Sequence, residues 1–186
     1  MDIITVEKRE SSAKAKQLRK SGVIPCVICG SALSESISIQ IKKSAVDKMF
    51  KQNREGSKIQ ISLDDKMISV QIKEKSYDAL SNEITHISFQ VLNDDQIVNS
   101  VVHIILQNAD KVTGTLEKML LEIPYSALPE NMIDTVEIDL DDFPVGSVVT
   151  VGDIKEFKEA KIELQADVDS IVFRFGDKKI LSSRAE

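Results

Sequence analysis

The 186 residues are enough for one sizeable domain or two small ones, and 42% hydrophobic with 29% charged residues is an ordinary soluble mixture. No run approaches the roughly 18 apolar residues that span a bilayer, MDIITVEKRE is charged too early for a secretory signal, and two cysteines build neither a disulfide framework nor a four-ligand zinc site, so the expected address is the cytoplasm. A net charge of −6 argues against a nucleic-acid partner for the chain as a whole, but not for each half taken alone.

Ile3 to Val6 reads as a β-branched strand. Ser12 is placed to cap a short basic helix from Ala13, and Gly22 to stop it. Cations dominate every face of that helix, so little of it belongs to a core. Ile24 to Gly30 is a short apolar strand closed by glycine, and Ser36 to Ile41 alternates as a half-buried one. Ser44 and Asp47 have capping-box spacing and open a helix to about Asn53, with Val46, Met49 and Phe50 as its stripe. Lys58–Leu63 and Met67–Ile72 alternate about Asp64-Asp65-Lys66, which predicts a hairpin. Glu83 to Leu92 is a strand whose phase changes once, the mark of a bulge.

The polar turn Asn93–Gln96 is the expected boundary. Beyond it the chain reads almost entirely as strand: Val98–Leu106, Thr115–Pro124 (strand, or a helical turn leading into one), Thr135–Leu140, Ser147–Val151, Lys161–Leu164 and Asp167–Phe175. The last ten residues are expected to fray. Charge divides at the same place. Residues 1–92 hold 15 Lys+Arg against 11 Asp+Glu, a net of +4, while residues 93–186 hold 9 against 19, a net of −10. The reading is therefore a mostly β, two-domain protein, 1–92 and 97–186, in which any phosphate-bearing partner meets the first half.

Few residues suggest catalysis. Cys26 and Cys29 have redox spacing but lie on a strand, where their side chains point to opposite faces, so they read as structural. His86 and His103 fall in different halves with no catalytic or metal-ligating companions, and neither familiar glycine-rich phosphate loop is present. Glu137, Asp139, Asp141 and Asp142 lack calcium-loop spacing and read as a solvated strand end. The run Lys8, Arg9, Lys14, Lys16, Arg19 and Lys20 is different: six cations in thirteen positions, open to both a solvated face and a phosphate-contacting surface.

Several short pieces, in order, carry a resemblance. Val6 to Arg19, Ile24 to Gly30, His86-Ile87-Ser88-Phe89, Gly114-Thr115-Leu116-Glu117, Leu128-Pro129-Glu130, Pro144-Val145-Gly146-Ser147 and Val151-Gly152-Asp153-Ile154 resemble the bacterial large-subunit ribosomal protein twenty-five family. The two-domain form, also called general stress protein Ctc, fits nearly the whole chain. The resemblance implies a six-stranded β-barrel-like first domain with two or three short helices and an elongated, β-rich second domain. It implies binding of 5S ribosomal RNA in the central protuberance, beside other large-subunit components, by a protein that is monomeric off the ribosome. It implies no enzyme activity, cofactor, metal, membrane or small-molecule substrate. Lys16 and Arg19 match basic family positions, and His86 matches a family histidine that implies an RNA contact. Several positions depart from the pattern: Glu7 and Gln17 replace arginines, Ser11-Ser12-Ala13 replaces Gly-Lys-Gly, and Cys29 replaces a common tyrosine. Ser76-Tyr77-Asp78-Ala79 stands for Gln-Arg-His-Pro, and Ser88 for aspartate. A divergent cytoplasmic stress or interaction paralogue with weakened or absent ribosomal RNA binding is the alternative.

Overall fold

The computed structural model describes residues 3–10, 12–31, 33–109 and 114–176. The chain forms two compact units, Met1–Val98 and Asn99–Glu186. The closing residues expected to fray lie outside the described set.

The first unit is one sheet curled almost into a barrel. Its strands are β1 (Ile3–Thr5), β2 (Glu7–Lys8), β3 (Val23–Cys29), β4 (Ile37–Lys42), β5 (Lys58–Leu63), β6 (Lys66–Tyr77) and β7 (Ile84–Val91), in the order β1-β5-β6-β7-β3-β4-β2. The two edge strands are consecutive in the chain, with only Val6 between them. β1 runs parallel to β5, and β2 runs antiparallel to β4. The Val6 N–H donates to the Ser62 carbonyl at 3.0 Å and the Arg9 N–H to that of Ser38 at 3.0 Å, one bond to β5 and one to β4. One extended segment thus stitches both edges, which blunts them against foreign strands. Taken as a single broken strand, it makes the barrel six-stranded.

Alternation fills the interior. Ile59, Ile61, Leu63, Val70, Ile72, Ile87 and Phe89 point inward from β5, β6 and β7, and Ile24, Cys26, Ile28, Ile39 and Ile41 from β3 and β4. Burying each large aliphatic side chain contributes about 1.5–3 kcal/mol. The hairpin turn rests on Asp64 and Asp65 at φ 48 and 61, the left-handed pair that a two-residue type I′ turn requires. Helix α2 (Lys43–Gln52) adds Val46 and Met49 to the core.

The second unit contains β8 (Val98–Gln107), β9 (Thr115–Lys118), β10 (Glu122–Ala127), β11 (Thr135–Asp139), β12 (Val148–Thr150), β13 (Glu163–Leu164) and β14 (Ile171–Gly176). They form sheets of order β11-β8-β10-β13 and β12-β14-β9 around Val102, Ile123, Tyr125, Val151, Val172 and Phe173. The buried Tyr125 hydroxyl donates to the Ile133 carbonyl and accepts from its N–H, both at 2.9 Å, so its polar tip is satisfied inside an apolar core.

Local signals misplaced some boundaries. The first helix, α1, spans Ala15–Lys20 with Lys14 at its N-cap; the Ser12 hydroxyl instead donates to Glu10 at 3.4 Å. β4 passes directly into α2, so Lys42 is the N-cap and Ser44 caps nothing. Thr115–Pro124 is two strands, broken where the Met119 and Leu120 N–H groups both donate to the Val172 carbonyl. The short helix α3 (Lys155–Glu159) was unforeseen; it buries only Phe157, too little to make a readable stripe.

Candidate nucleic-acid interface

Helix α1 buries none of its residues, and Arg19 and Lys20 complete its last turn, where cations suit the helix dipole. It ends as its glycine predicts. Gly22 takes φ 74 and donates its N–H to the Arg19 carbonyl at 3.1 Å. Arg19 ties the helix to the barrel: its Nε donates to the Thr85 carbonyl at 3.0 Å. Thr85 is the extra residue of a bulge. Ser76 pairs with His86 and Tyr77 with Ile84, so Thr85 has no partner in the ladder. That bulge is the phase change visible in the sequence.

Between α1, the start of α2 and the β6–β7 loop lies a groove of about 390 Å³, whose lining includes Lys16, Arg19, Lys20 and Lys43 together with Asp78 and Glu83. Lys43 bonds to the Glu83 carboxylate, and this bond raises the lysine's pKa. Asp78 accepts the N–H groups of Ser81 and Leu80, both at 3.0 Å; these bonds, followed by the hydroxyl of Ser81 and the nearby charge of Arg19, hold its carboxyl below the usual range. Four cations against two carboxylates leave the groove net positive, a place for an anion, with no acid–base pair aimed at a common point.

The six predicted cations separate into three groups. Lys16, Arg19 and Lys20 line the groove; Lys8 on β2 and Lys14 at the N-cap are exposed but do not line it. Arg9 is half-buried, and its Nη2 and Nε donate to the Ala13 carbonyl at 2.9 and 3.3 Å, so it clamps the loop between β2 and α1. The helix start expected at Ser12–Ala13 is not there: the Ala13 N–H donates to the Glu10 carbonyl. Glu7 accepts from the side chain of Gln40, its partner in the β2–β4 pairing, at 3.0 Å. His86 is half-buried, with Nδ1 2.8 Å from the Pro25 carbonyl. Cys26 is buried inside and Cys29 half-buried outside, on the opposite faces expected of them. Sequence reasoning missed Lys43, which no local pattern links to α1, and Thr85, whose only signal was the change of phase.

These features define a two-unit, mostly β protein whose first unit is a small barrel with a basic helix at its rim. The Ribosomal L25p family model matches residues 4–89, and that for the C-terminal domain of ribosomal protein TL5 matches residues 97–177. The chain belongs to the bacterial L25 family, in its two-domain form. It is 27% identical over 158 residues to large ribosomal subunit protein bL25 of Staphylococcus aureus (strain MRSA252), covering 83% of this chain and 72% of that one. The same protein of Lysinibacillus sphaericus (strain C3-41) is 27% identical over 175 residues, 91% of this chain and 87% of its relative. That of Caldicellulosiruptor saccharolyticus is 28% identical over 175 residues, 91% and 85% respectively.

Proposed function

We propose that this protein is a structural, non-enzymatic component of the large ribosomal subunit that holds 5S ribosomal RNA in the central protuberance through its first unit. The observation that carries the reading is the rim groove, in a family whose curated relatives are named large-subunit proteins. Lys16, Lys20 and Lys43 act as point charges on phosphates, while Arg19, anchored at Nε, keeps its terminal amino groups for a phosphate oxygen pair. Lys8 and Lys14 extend the positive surface beyond the groove, Arg9 shapes its approach, and His86 adds a contact from β7. Such a surface reads the shape and backbone of folded RNA rather than a linear sequence. The protein works in the cytoplasm, without a cofactor, and is a monomer off the ribosome.

Sedimentation of cell extract through a sucrose gradient tests the reading. The protein should travel with the large subunit at low and moderate salt. Recovery wholly in the soluble fraction would overturn it and favour an interaction protein that lives off the ribosome.

A further inference from the structure

Beside its four cations, the rim groove is lined by the half-buried Val23 and Ile84 and by the carboxylates of Asp78 and Glu83. A phosphate backbone uses only the cations. Carboxylates repel it, and apolar side chains offer it nothing. A ligand that uses the whole lining carries phosphates, a flat apolar ring and N–H or O–H donors in one molecule. That is the chemistry of a nucleotide. Size agrees, since about 390 Å³ lies within the roughly 300–1,000 Å³ of clefts that hold small ligands. A double helix must lie across such a groove rather than in it. The two carboxylates differ in what they have left to give. Asp78 is spent on its own loop: one carboxylate oxygen accepts the N–H groups of Leu80 and Ser81 at 3.0 Å, and its backbone carbonyl accepts that of Asn82 at 2.9 Å. The Asp78 N–H in turn donates to the Glu83 carbonyl at 2.9 Å, which fastens Glu83 beside it. Oε1 of Glu83 takes Lys43, while Oε2 has no bond among the described residues. Oε2 is an acceptor left over in the lining of a cationic site.

We infer that the groove also binds a free nucleoside diphosphate, its phosphates on the cations, its base against Val23 and Ile84, and a ribose or base donor on Oε2 of Glu83. The nucleotide and RNA then compete for Lys16, Arg19, Lys20 and Lys43. Only that competition rests on the RNA-binding reading; the nucleotide site stands without it. Glu83 weakens the hold on a bare anion and strengthens it on an anion that brings a donor. It is thus the specificity-determining residue of the site.

Calorimetric titration of the full chain with ADP, GDP and inorganic pyrophosphate, at one fixed ionic strength, tests it. Pyrophosphate carries the phosphates without ribose or base. At least one nucleotide should bind with one site per chain, about tenfold or more tighter than pyrophosphate, the difference that one hydrogen bond to a charged group makes. No nucleotide binding overturns the inference. So does binding no tighter than that of pyrophosphate, which would mean that any small anion adheres. Lys16→Ala with Lys43→Ala should weaken the nucleotide about tenfold. Undiminished binding by this variant, with circular dichroism showing it folded, would place the ligand elsewhere and overturn the inference. Glu83→Ala should tighten pyrophosphate and narrow the nucleotide's advantage by about threefold or more. An advantage that survives intact would mean that Oε2 receives no donor, and it overturns the inference as well. Competition is measured last. The nucleotide should displace a bound 5S ribosomal RNA fragment with an inhibition constant that matches its own dissociation constant, and a nucleotide that binds while RNA stays in place overturns the shared site. A full chain that binds nucleotide in the groove but no RNA would overturn the RNA-binding reading and leave the nucleotide site standing.

Discussion

Glu83 lowers the charge of the groove that Lys43 helps to build. Its carboxylate bonds Lys43, and Asp78 lies within the field of Arg19, so part of the positive potential is cancelled before any ligand arrives. The pair is exposed, and exposed pairs add little to stability because water and salt screen them. Glu83→Gln should therefore leave the melting temperature almost unchanged while tightening RNA binding about two- to fivefold at low salt, an advantage that fades as salt rises. Equal affinity at low salt would mean that Lys43 takes no part. Cys26 offers a check on the core. Burial pushes its thiol up to about 12, outweighing a backbone hydrogen bond from Ile87. In the native protein it should resist alkylation that modifies it after unfolding, since the thiolate is the reactive form. The sign of its linkage to stability follows. A thiol raised in the folded state contributes fully below the ordinary thiol range, and the contribution is lost as pH climbs from there to about 12.

At the scale of elements, α1 is too short to be stable alone and has no side-chain cap. Arg19 bonds it to the Thr85 bulge, and its exit is Gly22 at φ 74 with open space where a Cβ would stand. Gly22→Ala should cost about 1 kcal/mol from the backbone alone, read as a lower denaturation midpoint with no steric clash. Replacing Lys16 and Arg19 together by alanine should weaken RNA binding and flatten its log–log salt dependence by up to about two units, at roughly 0.7–0.9 per phosphate contact. Lys155→Ala with Lys158→Ala, on α3 of the acidic unit, is the matched control and should do much less. Equal losses from both pairs would mean nonspecific attraction. The strands beneath these features were legible because alternation is local: Ile59, Ile61 and Leu63 announce their face unaided. The barrel seam was not, since a parallel pairing of Ile3 with Gln60 follows from no nearby residue. The helix starts failed for a related reason. Ser12 and Ser44 have capping chemistry, but the helices begin where the backbone leaves extended dihedrals, at Lys14 and Lys42. For the site, the basic run marked α1, whereas Lys43 joins it only through tertiary packing.

For the whole molecule, the buried clusters bear on how far the RNA-binding half stands alone. One cluster runs from Ile4 to Phe89 and the other from Val102 to Phe175, with no residue in common. A cut at the polar turn, after residue 92, is nevertheless too early. The Leu92 N–H donates to the Ser69 carbonyl at 2.9 Å, the Leu92 side chain is only 7% exposed, and Ser31 bonds the Gln96 side chain at 2.6 Å. The turn is fastened to the first unit, and we propose that the working boundary lies at Val98. A fragment of residues 1–98 carries 15 basic and 13 acidic side chains, a net of +2, and keeps every groove cation. It leaves behind 9 basic and 17 acidic side chains, a net of −8, which repel RNA. The fragment should melt cooperatively and bind 5S ribosomal RNA at least as tightly as the full chain, most visibly at low salt, and residues 99–186 should not bind. A fragment 1–92 should melt at a lower temperature because Leu92 becomes a frayed end and the Gln96 tie is gone. Absence of a cooperative transition in 1–98, with the full chain melting normally, would mean that the second unit completes the first core.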